Sequence, residues 1–112
     1  MMEVNIRTVR QVAVVEIVGE LDGKTAPEAQ ERVLPLVQPR CKIILDMTKV
    51  PYMSSAGLRL FLLLNRQVSS NNGRIALIGL SEEIRDTMDM TGFLKYFTIY
   101  ETFDAGLDAL AQ

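Results

Sequence analysis

Histidine is absent from this 112-residue chain, and cysteine occurs once. The first absence excludes Ser-His-Asp and Cys-His catalysis. It also excludes any zinc site that needs imidazole, and one cysteine cannot complete a four-cysteine site. Cys41 has no partner for an internal disulfide, which points to a reducing, cytoplasmic setting. Charge of one sign is scarce too. Twelve Lys+Arg stand against 14 Asp+Glu, for a formal charge of −2, with no basic block and 6% aromatics. Nucleic acid is therefore not the expected partner. Long apolar runs are missing. The longest, Leu60 to Leu64, is far short of the ~20 residues a bilayer span needs, so no membrane partner is expected. No early apolar run precedes a small-residue cleavage site, so no secretion signal is expected. Internal repeats, low-complexity tracts and linkers are also missing.

What is present is enough for one domain over residues 1–112, 48% apolar, that folds without metal or disulfide. "VAVVEIVGELD" reads as a β-branched strand, Val12 to Val18, running into a turn, with a weaker strand over Val4 to Arg7 and a hairpin at Arg10 and Gln11. Thr25 with Glu28 predicts a capping box for the first helix, with Pro27 in its first turn and Pro35 ending it. "CKIILDMT" predicts a short buried strand, Lys42 to Leu45, terminating at Asp46, and a loop from Met47 to Met53. The helix from Ser55 to about Ser69 is apolar nearly all round and should pack centrally. Ile75 to Ile78 is a strand, and Ser81 caps an acidic helix that Gly92 can stop. "YFTIY" is a short strand, and Thr102 caps a last helix, Phe103 to Ala111. The order β-β-α-β-α-β-α-β-α predicts an α/β fold with a mixed, mostly parallel sheet of about five strands and about four helices. Asp22, Asp46 and Gly79 are then expected on one rim of the sheet, with Ser54 and Ser55 arriving beside them.

"YMSSAGLRLFLLL" raises the functional question. One serine suffices to cap a helix, and here there are two. On propensity alone, Ser54 caps and Ser55 merely fills the first turn. The same geometry has another use, because a helix start offers N–H donors and about half a positive charge, so a phosphate there is stabilised. On this reading Gly57 leaves one side of the turn open to another protein's backbone.

"GELD" at 19–22, "ILDMTKVPYMSSAGL" at 44–58 and "DMTGF" at 89–93 together resemble the STAS family over almost the whole chain, and most of all its bacterial anti-sigma factor antagonists. The resemblance implies a small cytoplasmic protein that binds an anti-sigma factor. That partner is usually also an ATP-dependent serine kinase, which phosphorylates the antagonist and so breaks the complex until a PP2C-type phosphatase restores it. The family motif commonly reads Asp-Ser-Ser-Gly-Leu, with the first serine modified. Aligned on Gly57-Leu58, that serine is Ser55, Ser54 stands where the aspartate usually is, and Ala56 stands at the second serine; Ser54 is the alternative acceptor. Asp22, Thr25, Asp46, Ser54, Ala56, Gly57 and Arg59 are the implied kinase contacts, with turn or cap roles as the plainer reading of Asp22, Thr25 and Asp46. Phosphorylation adds about −1.5 to −2 charge units. A partner carboxylate about 5 Å away is then repelled by about 3 kcal/mol per unit charge at an effective dielectric of 20. A hundredfold loss of affinity thus needs no refolding. No catalytic residue, metal or cofactor is implied, and a monomer or weak dimer is expected.

Three other readings compete. A STAS module can serve a stressosome-like scaffold, a secretion-control circuit or a lipid-transport assembly. A receiver-like domain would be phosphorylated on Asp46. An enzyme would need Cys41 as nucleophile or Asp22 and Asp46 as a magnesium pair; a strand-opening cysteine is more often a small buried hydrophobe. The acidic "SEEIRD" helix reads as a solvated face, and "RLFLLL" as core rather than a dimer groove.

Overall fold

The computed structural model describes residues 2–112. Strands β1 (Glu3–Val9) and β2 (Val12–Val18) pair antiparallel from Val9↔Val12 outward. Arg10 and Gln11 both take positive φ, 52° and 67°, as a two-residue hairpin whose twist matches its strands requires. Beyond β2 the chain alternates: α1 (Ala26–Val33), β3 (Lys42–Lys49), α2 (Ser55–Ser70), β4 (Arg74–Ile78), α3 (Glu82–Met90), β5 (Ile99–Tyr100) and α4 (Phe103–Ala111). Single 3₁₀ turns follow α1 at Leu34–Leu36, where Pro35 ends the helix, and precede β5 at Leu94–Tyr96.

The strands lie in the order β1-β2-β3-β4-β5, and every pair after the first is parallel. A parallel sheet that always grows in one direction by right-handed crossovers puts all its crossover helices on one face. That face carries α1, α2 and α3. They bury Ala29, Val33, Phe61, Leu64 and Met88 against Val15, Ile17, Ile43, Leu45 and Leu77. Complete burial of a side chain such as Phe61 or Leu64 contributes about 1.5–3 kcal/mol. The alternate residues Val12, Ile44, Ala76 and Ile78 face the other way, where Leu107 and Leu110 of α4 cover them.

The predicted fold class and element order match the structure. A receiver-like arrangement does not: that doubly wound fold has the strand order 2-1-3-4-5, whereas here the antiparallel β1 forms the edge. β3 also continues past its expected end at Asp46 as far as Lys49: Asp46 pairs with both Glu16 and Ile78, Met47 is buried in the core, and the ladder with β2 runs on to Val18↔Lys49. The longest apolar run is core for the most part, with Leu60, Phe61 and Leu64 buried and Leu62 and Leu63 half-buried.

Candidate functional site

Two loops at the carboxyl ends of β2 and β3 are fastened together. The Gly19 N–H donates to Lys49 O (3.0 Å), Leu21 N–H to Tyr52 O (3.0 Å) and Ser54 N–H to Leu21 O (2.9 Å). Leu21 and Met53 form a parallel bridge, so the strand pairing is in effect prolonged to Ser54, the residue before α2. Leu21 itself is completely buried.

This ladder ends at the paired serines. Ser54 is extended (φ −86°, ψ 179°), and its Oγ accepts from the Ala56 N–H at 3.2 Å, which makes it the N-cap. Ser55 is the first helical residue and is exposed; its hydroxyl takes no part in the cap. Arg59, four residues on and also exposed, lies one turn along the same helical face. Ala56 is half-buried against the core. Gly57 differs from expectation. It is buried, and a Cβ there would meet Met53 Cγ at 2.6 Å and Leu21 Cγ at 3.0 Å. The missing side chain makes room for these two neighbours and leaves no open flank for another protein.

The expected capping box at Thr25 does not form. Thr25 has helical dihedrals and no side-chain cap bond. Its Oγ1 donates to Glu20 O and accepts from the Asp22 N–H, both at 2.9 Å. Asp22 closes the turn ahead of the helix: its Oδ1 accepts from the N–H groups of Lys24 (2.9 Å) and Thr25 (3.1 Å). These two donors, Lys24 first, hold the Asp22 carboxyl below the ordinary aspartate range. Asp22 therefore shapes the loop that carries Leu21 to the serines.

Asp46 is not brought to this site. It shares a face with Ile44, on the α4 side of the sheet, and its Oδ1 accepts from the Thr48 N–H (3.0 Å) and Thr48 Oγ1 (2.6 Å). With Arg7 and Glu16 it lines a separate depression of about 190 Å³. The Asp22 and Asp46 carboxylates are thus each engaged by their own turns. Among the described residues, no cluster of three or more His, Cys, Asp or Glu side chains could hold a metal. Cys41 is half-buried. Among the described residues, no helix is long and apolar enough to cross a membrane.

The serines open onto a groove of about 570 Å³ between α2 and α3. Tyr52, Met53, Ser55 and Leu58 form one wall. Glu83, Asp86, Thr87 and Thr91 form the other, and the buried Ile84 and Met88 lie deeper. Tyr52 remains 51% exposed on its lip. The sequence pattern points to the acidic side of α3 as a solvated face, and of these wall residues it marks only Ser55 as a site residue. The tyrosine two residues before the serine pair is the one signal the sequence carries.

The STAS domain family profile matches residues 3–106. An anti-sigma-B factor antagonist of Staphylococcus epidermidis is 33% identical over 103 residues, covering 89% of this chain and 95% of that protein. An anti-sigma factor antagonist from Mycobacterium paratuberculosis shares the fold with a TM-score of 0.87 at 23% identity, over 100% of this chain and 96% of that one. The Bacillus cell fate determinant SpoIIAA in its phosphorylated form superposes with a TM-score of 0.71 at 19% identity, over 96% and 98% of the two chains.

Proposed function

The chain belongs to the STAS domain family, and from that premise we propose that it is an anti-sigma factor antagonist switched off by phosphorylation of Ser55. In this reading it acts in the cytoplasm. It binds an anti-sigma factor that is also a serine kinase, loses that partner when Ser55 is modified, and regains it through a PP2C-type phosphatase. The observation that carries the reading is the division of labour between the two serines. Ser54 is committed to the helix cap, so modifying its Oγ would remove an acceptor the fold uses. Ser55 Oγ is exposed at the positive end of α2, where a dianion is accommodated by the helix itself. Ser55, Tyr52 and Arg59 form the proposed contact surface, and Asp22 holds the neighbouring loop in shape.

The relatives named anti-sigma-B factor antagonist support the choice of partner class. The physical effect of the switch is a docked surface that must suddenly accept about two negative charges. The fold itself need not change.

The test uses anti-sigma factor kinases from the same genome with ATP, mapping of the modified residue by mass spectrometry, and titration of binding. Ser55 should carry the phosphate. Ser55→Ala should bind constitutively, and Ser55→Asp should bind at least ~100-fold more weakly, about 2.8 kcal/mol. Label on Ser54 alone, or unchanged binding by Ser55→Asp, would overturn the assignment.

A further inference from the structure

We infer that the groove between α2 and α3 receives a segment of the protein partner in which an apolar side chain is flanked by Lys or Arg. This inference rests on the partner reading above and specifies the partner's chemistry.

Two features of the groove point there. Its walls and depth are apolar: Met53 and Leu58 are half-buried, and Ile84 and Met88 lie below them. Its charges are of one sign, because Glu83 and Asp86 line it and no Lys or Arg does. Both carboxylates are exposed, and neither is in an ion pair among the described residues. The outer surface of α3 continues the same sign with Glu82 and Asp89, against the single cation Arg85. An acidic segment would be repelled here. A purely apolar one would strip water from two carboxylates without replacing it, at a cost of desolvation. A segment with an apolar anchor between cations satisfies both the depth and the rim.

The occupant is a stretch of the protein that reads Ser55, because Ser54 and Ser55 themselves line the groove. Whatever covers the serine also covers Tyr52 and reaches α3. The phosphate is then added at the mouth of a groove whose charges are already negative. Cations in the groove would be attracted by it, so release must arise on the α2 side, where the phosphate displaces the surface packed against Ser55. The groove sets who binds; the serine sets when.

The experiment uses the anti-sigma factor kinase that binds the wild-type protein in the assay above. Glu83→Lys/Asp86→Lys should weaken that complex about tenfold, and raising salt from about 50 to about 500 mM should shrink the difference between wild type and variant. Because Glu83 also lies in the first turn of α3, Asp86→Lys alone is the second variant, with a loss of about threefold and an unchanged urea midpoint. Glu31→Lys, an exposed position on α1 outside the groove, should bind as wild type. Wild-type or tighter binding by the double variant, together with loss of binding by Ser55→Asp, would overturn the groove inference and leave the phosphorylation reading standing. If wild-type protein binds no such kinase, that reading falls and this inference falls with it.

Discussion

The two helices that wall the groove begin alike and differ in the next residue. Ser54 and Ser81 are both extended N-caps, and each Oγ accepts a backbone N–H at 3.2 Å, from Ala56 and from Ile84. After Ser81 come Glu82 and Glu83, which neutralise the positive end of α3. After Ser54 come Ser55 and Ala56, and the first turn of α2 has no acid. A carboxylate at such a position stabilises a helix by roughly 0.3–1 kcal/mol. The start of α3 has that contribution built in, whereas the start of α2 is left without it and can receive an anion later. A second difference is anchorage. The start of α2 is bonded to the β2–α1 loop through Leu21, a tie with no counterpart at Ser81 among the described residues.

Breaking the anchorage should have the largest effect on stability. Leu21→Ala removes a completely buried side chain beneath Gly57 and Met53 and should cost about 3 kcal/mol in urea unfolding. The loss should extend to weaker partner binding, because the Tyr52–Ser54 segment loses its support. A loss below about 1 kcal/mol would mean that the two loops do not depend on one another. The caps come next. Ser54→Ala and Ser81→Ala should each destabilise by about 1 kcal/mol. Phosphorylation of Ser55 by the kinase should survive in both, although Ser54→Ala should slow it by loosening the turn. The smallest effect is the most diagnostic. Ser55→Asp should raise stability by about 0.5 kcal/mol at low salt, and Glu82→Gln should lower it by a similar amount, with both effects fading at high salt. The same Ser55→Asp change would then strengthen the fold and abolish the complex, which separates a switch from a lesion. A destabilised Ser55→Asp protein would contradict the idea that α2 has a vacant place for an anion.

Much of this is legible in the sequence. Ser54, Ser81 and Thr102 cap as their positions foretold, since an oxygen two or three residues ahead of an unpaired N–H is a local event. The alternation of strands and helices carried the topology. Thr25 misled because its backbone is already helical and its hydroxyl is taken up by the preceding turn, between Glu20 O and the Asp22 N–H, rather than turned toward the start of α1. Asp46 misled because aspartate usually ends a strand, yet here it pairs with Glu16 and Ile78, and β2 carries the ladder on to Val18↔Lys49 after the pairing with β4 has stopped. Gly57 looked like empty surface because a sequence does not show that Leu21, 36 positions away, fills the space. The groove was hidden for the same reason: Tyr52 and Asp86 carry no shared period, and only the packing of α2 beside α3 joins them.

The strands stand side by side in the order in which the chain encodes them. Each strand therefore docks onto an edge that its predecessor has already made, and no segment must wait for one synthesised much later. The exception is α4, which returns beneath the sheet and pairs Asp108 with Arg10 of the first hairpin at 2.9 Å, across 98 positions. The sheet thus reads like a zip laid from one end, with the last helix as its clasp on the face opposite the serine turn.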